Sequence, residues 1–207
     1  MPLVEVNHPL IKHHLSRLRD RHTPPAEFRQ VVQRLAVLLA YEATKDLAIH
    51  PLEIETPLTR TTGQVLSQRI GLIPILRAGL GMVDPILNLI PTAEVWHLGL
   101  YRDETTARPV EYYSKLPPTK PVDIALVVDP MLATGHTAVA AIDRLKERGC
   151  RDLRLVCLLA SPEGIAHFHG THPEVPIWTA AIDSHLNEHG YIVPGLGDAG
   201  DRMFGTK

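Results

Sequence analysis

Five short apolar runs punctuate the chain from residue 71 onward: GLIPIL (71–76), EVWHLGLY (94–101), IALVVD (124–129), LRLVCLLA (153–160) and VPIWTAAI (175–182). Helix-like stretches lie between them at 79–90, 137–148 and 162–169. Runs this apolar, with little polar alternation, suit strands buried on both faces. Strands alternating with helices predict an α/β fold, a central parallel sheet flanked by helices. The helix at 137–148 ends KERGC, with basic residues in its last turn and Gly149 placed as its cap.

Other segments fill in the frame. After Thr23, a predicted N-cap, residues 24–47 begin Pro24-Pro25 and place Phe28, Val31, Val32, Leu35 and Leu39 at helical spacing. The stretch 102–121 breaks the alternation and reads as an excursion, a hairpin or flexible loop. The tail from Ser184 is Gly-rich and irregular. No linker splits the 207 residues, so one domain is expected over 1–207. Within it, N-terminal helices occupy 1–50, the core about 70–182, and a closing segment about 184–207. Aromatics are 5% of the chain, so the core must be aliphatic.

Charge and targeting narrow the function. Lys+Arg number 21 against 23 Asp+Glu, for a net charge of −2 and a pI near 6.6. That argues against a nucleic-acid grip built on net charge. The longest purely apolar run, Leu35–Tyr41, is far short of the ~20 residues a membrane helix needs. Cys150 and Cys157 match no metal or redox spacing and suit a reducing cytoplasm. Cys157, inside LVCLLA, reads as a core residue.

Two motifs are decoys. GLGDAG (195–200) fits G-x-G-x-x-G, but Pro194 precedes it and only seven residues follow Gly200. A dinucleotide fold needs a second strand beyond that loop. HFHGTH gathers His167, His169 and His172 without an acidic or Cys partner beside them, and reads as a solvated surface cluster rather than a metal site.

The chemistry concentrates in VVDPMLATGHT (127–137). A strand runs into Asp129, a loop of small residues follows, and a helix begins. Ligands of open α/β sheets bind at the carboxyl ends of strands. A Gly-containing loop entering a helix offers converging N–H groups and a positive dipole end to a phosphate. Thr134 and Thr137 add hydroxyls, and Asp129 can accept from sugar hydroxyls. PILRAGLGMVD (74–84) repeats the strand–loop–helix pattern and puts Arg77 at a strand end, where its fork can hold two phosphate oxygens. Arg102 in LYRDE stands in the same position after the next strand. Two arginines and one cradle point to a substrate with more than one phosphate.

Together these stretches resemble the uracil phosphoribosyltransferases, of the type I phosphoribosyltransferase fold. The likeness rests on HPLIKHHL near the start, YEATKDL (41–47), PILRAGLGM (74–82), DPMLATGHT (129–137), PEGIA (162–166) and NEHGYIVPGLGDAGDRMFGTK (187–207). It implies conversion of uracil and 5-phospho-α-D-ribose 1-diphosphate (PRPP) to UMP and diphosphate with Mg²⁺, held mainly by PRPP and water. By position, Arg77 and Arg102 would hold the diphosphate. Asp129, Pro130, Met131, Leu132, Ala133, Thr134, Gly135, His136 and Thr137 would hold the ribose and its 5′-phosphate. Ile192, Gly197, Asp198 and Ala199 would form a hood over uracil, with Asp198 also reaching PRPP. Asp129 and Arg102 would serve the chemical step, Arg102 on a loop that closes over the substrate.

One position departs from the family pattern, which has Gly where this chain has His136; a side chain there resists a positive φ. The family forms dimers or higher assemblies, so a homo-oligomer is expected, with 94–113 as an interface and GTP as a candidate activator. The competing reading is a pyrimidine-sensing RNA-binding regulator. It calls for a basic face and a second acid beside Asp129, where this chain has Pro130.

Overall fold

The computed structural model describes residues 3–102, 109–117 and 121–206. The chain opens with β1 (Leu3–Glu5), α1 (Pro9–Arg19) and α2 (Pro25–Ala43). A hairpin follows, β2 (Ile49–Glu55) and β3 (Arg60–Leu66). Next come β4 (Ile70–Leu76), a tight 3-10 turn (Ala78–Met82) and α3 (Val83–Leu89). Strands β5 (Glu94–Val95), β6 (Leu98–Arg102), β7 (Pro109–Ser114), β8 (Ile124–Val128) and β9 (Met131–Leu132) lead to α4 (His136–Glu147). Then β10 (Asp152–Ala160), α5 (Pro162–Thr171) and β11 (Ile177–Ile182) complete the core. The tail holds β12 (His185–Leu186), β13 (Ile192–Val193) and α6 (Ala199–Phe204).

The main sheet runs β1-β11-β10-β8-β4-β6-β7. Every pairing in it is parallel except β6 with β7. The predicted parallel sheet is therefore present, and 102–121 supplies the antiparallel edge strand β7. Alternation along the strands sorts their side chains between two cores. Leu72, Leu126, Val128, Val156 and Leu158 face α1, α2 and α3. Ile73, Ile75, Ala125, Val127, Leu155 and Cys157 face α4 and α5. Burying each large aliphatic side chain stabilises the fold by roughly 1.5–3 kcal/mol, which supplies what the scarce aromatics do not.

Some local expectations change. α2 buries Phe28, Val31, Val32, Leu35 and Leu39 as spaced, but ends at Ala43 rather than 47. Thr44 stops it, donating its hydroxyl to Ala40 O at 2.7 Å. Thr23 is no cap: its hydroxyl donates to Arg17 O at 2.6 Å, and Pro24 takes the cap position. Gly149 does follow α4 in the left-handed region at φ 85°. Cys157 is fully buried, and burial pushes its thiol up to about 12. Among the described residues no helix is long and apolar enough to cross a membrane.

Candidate active site

The sheet changes winding direction between β4 and β8. The chain leaves β4 toward β6 on one side and leaves β8 toward β10 on the other. A crevice opens at such a switch point, at the carboxyl ends of the strands. Arg77 follows β4 and Asp129 follows β8, and these two strands are neighbours with Pro74 opposite Val128. The tight turn after Arg77 closes on β8: a Cβ at Gly79 would lie 2.6 Å from Val128 O. Only glycine lets that turn fold flat onto the strand end.

Beyond Asp129 the chain forms a cradle. Asp129, the loop Met131–Gly135, Thr137 and Ala138 enclose a cavity of about 70 Å³. This is room for a single compact group at the amino end of α4, a twelve-residue helix. Gly135 adopts φ 80° just ahead of the helix, so the cradle's left-handed position falls there. His136 is the first residue of α4, so the bulk feared at this position meets no positive φ. Its ring lies against that of His167, centroids 4.2 Å apart.

α5 supports the loop from behind. Ser161 Oγ donates to Ala133 O at 2.6 Å and accepts from Gly164 N at 2.8 Å. A Cβ at Gly164 would lie 2.7 Å from Leu132 O. Asp129 is half-buried and, among the described residues, accepts one long bond, from Met131 N at 3.3 Å. Burial against so little compensation pushes its carboxyl up to about 7.

The tail forms the third wall. Asp198 caps α6, accepting from Asp201 N at 2.8 Å, and Gly197 sits at φ 83°. Ile192 and Ala199 have buried side chains, so only their backbone can face a ligand. Met203 Cε would lie 2.7 Å from a Cβ at Gly81, and Arg77 Nη2 stands 3.9 Å from Asp201 Oδ1. The tail therefore packs on the Arg77 turn. A second cavity, about 480 Å³, lies between the tail and the end of α1; its lining includes Arg19, Arg21, Gly197, Asp198, Asp201 and Arg202. It shares no lining residue with the cradle cavity.

Arg77, the cradle 129–137 and the 192–199 segment thus meet at one end of the sheet. The Arg102 backbone ends β6, three residues past Gly99, the partner of Leu76, while its side chain and the loop expected to close with it (103–108) lie outside the described residues. Sequence reasoning missed the residues that hold the tail. Arg202 donates to Leu18 O, Leu196 O and Asp20 O at 2.6–2.8 Å and covers the Phe28 ring. Arg29 donates to Met203 O at 2.8 Å. Asp183, at the end of β11, pairs with Arg19. The strand-end rule that singled out Asp129 could have found Asp183; no spacing rule could have found its partner.

Two decoys resolve differently. GLGDAG follows the short strand β13 and opens α6, a six-residue helix with no further strand after it among the described residues. Of the histidine cluster, His167 is exposed as expected, but the other two are not solvated. His169 and His172 are buried, with His172 Nδ1 2.7 Å from Lys146 Nζ and its Nε2 3.2 Å from Asp143. The α4–α5 packing that covers them was invisible in the local pattern. Among the described residues no group of three or more His, Cys, Asp or Glu could cage a metal.

Comparison with known proteins bears on the chain as a whole. A family model described as uracil phosphoribosyltransferase matches residues 5–206. A uracil phosphoribosyltransferase from Roseiflexus castenholzii is 59% identical over 199 residues, 96% of each chain. The solved structure of the AQ2163 protein from Aquifex aeolicus is 37% identical, superposes with a TM-score of 0.92, and covers 98% of this chain and 97% of its own. A purine phosphoribosyltransferase from Pyrococcus horikoshii, 16% identical, superposes with a TM-score of 0.51 over 76% of this chain and 89% of its own, a likeness of fold alone.

Proposed function

The chain belongs to the uracil phosphoribosyltransferase family, and from that premise we propose how its residues divide the conversion of uracil and PRPP to UMP and diphosphate, a step of pyrimidine salvage. One observation carries the division: Arg77 and Asp129 stand at neighbouring strand ends across the switch point, beside a phosphate-sized cradle. We read the whole chain as one catalytic domain.

The reaction is a displacement at the anomeric carbon, with positive charge growing on the ribose as diphosphate leaves. Residues 129–137 hold the 5′-phosphate and ribose, Arg77 and Arg102 hold the diphosphate, and Arg102 closes over the site. Anchoring the 5′-phosphate away from the reacting bond spends binding energy on orientation. Asp129 accepts from the ribose hydroxyls and favours the developing cation beside it. The backbone of Ile192, Gly197 and Ala199 matches the donor and acceptor edge of uracil, and Asp198 reaches both substrates.

Mg²⁺ suits this donor set as a passenger of PRPP. It keeps several waters and takes one or two carboxylates plus phosphate oxygens. Asp129, accepting a single hydrogen bond, has an oxygen to offer it directly or through water. When bound, Mg²⁺ neutralises charge on the leaving diphosphate.

Purified chain incubated with PRPP, Mg²⁺ and each free base in turn is expected to form nucleotide from uracil alone. Product from hypoxanthine or guanine would overturn the assignment of the hood.

The state of Asp129 sets a pH dependence. Its ordinary value is 3.8 and burial raises it to about 7, so the reactive carboxylate grows in as pH rises through that value. kcat/KM for PRPP is expected to climb from pH 6 to 8, and the climb to be absent in Asp129→Asn. Stability moves the other way. The unfolded carboxyl ionises first, so the unliganded protein loses this contribution as pH rises from about 4 to about 7.

We also read the enzyme as a cytoplasmic homo-oligomer, its two free cysteines buried. The β2–β3 arm forms a two-stranded sheet of its own and exposes Leu52, Ile54 and, at its tip, Leu58 at 95%. A lone two-stranded ribbon is marginal in water, so a second copy covering its apolar row accounts for it better than solvent does. The 94–113 segment is the second contact in this reading. Leu52→Glu with Ile54→Glu is expected to lower the mass measured by light scattering; an unchanged mass would remove the arm from the interface. GTP remains a candidate activator, to be tested by adding it to the same assay.

A further inference from the structure

We propose that Asp183 and Arg19 are positioning residues for uracil, an ion pair that sets the backbone of the hood. The inference rests on the reading of 192–199 as the uracil site.

Asp183 leaves β11 with its side chain 4% exposed. Its two oxygens accept from both terminal nitrogens of Arg19, at 2.5 and 2.7 Å. The same carboxylate accepts from Gly195 N at 2.8 Å, and Arg19 donates to Gly195 O at 2.9 Å. One ion pair therefore clamps both polar atoms of a single hood residue. Gly195 itself has φ 59°, and a Cβ there would run into Ile192 O, so the loop is already folded tightly on Ile192. Next to Asp183, Ser184 donates to Val193 O from its N at 2.9 Å and its Oγ at 2.8 Å. The segment between Ile192 and Gly197 thus hangs from residues 183 and 184.

The clamp also relates the hood to the cradle. Asp183 N donates to Ala160 O at 2.9 Å. The next residue, Ser161, holds the cradle through Ala133 O. Base and ribose walls are therefore referred to adjacent points on the end of β10. A backbone that reads a ring edge by hydrogen bonds must be held to within about half an ångström, and a rigid bidentate pair does that better than a flexible loop. The consequence is specific. Loosening the pair degrades uracil placement, while the 129–137 cradle keeps its own supports in α5.

Steady-state kinetics with uracil and PRPP varied separately, alongside thermal unfolding, test this in Asp183→Asn, Arg19→Ala and Arg19→Lys. Asp183→Asn and Arg19→Ala are expected to raise the uracil KM about tenfold, the worth of one lost charge-assisted hydrogen bond. The PRPP KM stays within about twofold, because its phosphate contacts are untouched. Arg19→Lys keeps the charge but not the fork, and falls between wild type and Arg19→Ala. Folded variants with an unchanged uracil KM, or with both KM values raised together, would overturn the proposal. If Asp183→Asn does not fold, the two Arg19 variants decide on the same terms. Gly197→Ala separates the underlying reading. Its φ of 83° strains alanine, while the added Cβ has room, 3.8 Å from Arg202. A raised uracil KM in Gly197→Ala with none in the others refutes only the ion pair. An unchanged uracil KM in all four removes the hood assignment and the proposal with it.

Discussion

Arg77→Ala lowers kcat by about 10²–10³-fold with little effect on folding, as expected when a preorganised donor to a developing anion is lost. The geometry separates the two effects. The Arg77 side chain is 64% exposed, and its ion-pair contact, Asp201, is 3.9 Å away. An exposed pair of that length contributes little to stability. Held only by that long contact, the guanidinium can turn toward a diphosphate in the reading we propose. Arg77→Lys restores the charge but not the two-oxygen fork, so it recovers part of the rate. The measurement is kcat and PRPP KM for both variants beside their unfolding temperatures. A large drop in unfolding temperature for Arg77→Ala would make the residue structural.

Gly135→Ala is expected to damage both stability and PRPP binding. Alanine at φ 80° costs about 1–2 kcal/mol in backbone strain. The new Cβ would also lie 2.7 Å from Gly164 O, a backbone atom held by α5 that cannot swing aside. Overpacking of this kind adds roughly 1–3 kcal/mol, so urea unfolding should register a total loss of about 2–5 kcal/mol. Relief of the clash opens the cradle, and the PRPP KM rises tenfold or more by the same order of energy. The neighbouring exchange is a sharp contrast. His136 starts a helix with ordinary backbone, so His136→Gly changes stability by about 1 kcal/mol or less. Equal effects at 135 and 136 would contradict this account of the loop.

The strands that bury side chains on both faces were legible in the sequence, because burial is what an apolar run records. Four of the five runs became the central strands β4, β8, β10 and β11, and the fifth became β5 and β6. What was illegible was exposed or brief. Every residue of β2 is exposed, and its apolar alternation is confined to Leu52 and Ile54, too short to mark a strand; β1 is three residues long. At the site, Arg77 and Asp129 were readable from their place at strand ends. His169 and His172 were misread because the surface that buries them comes from another helix. The Asp183–Arg19 pair spans 164 positions, a distance over which one sequence carries no pairing signal.

That distance has a consequence during folding. The contacts holding the tail span 164, 174 and 184 positions, and β1 pairs with β11. Interactions so remote along the chain form late and slow folding, since the ends must be brought together first. Arg19 and Arg29 precede their partners by more than 160 positions, so these contacts form only once the intervening sheet has been made. The 129–137 loop, held by Ser161 and Gly164, can therefore form before the tail is fastened. On the assignment we propose, selectivity for the base depends on the longest-range contacts of the fold and forms after its strands.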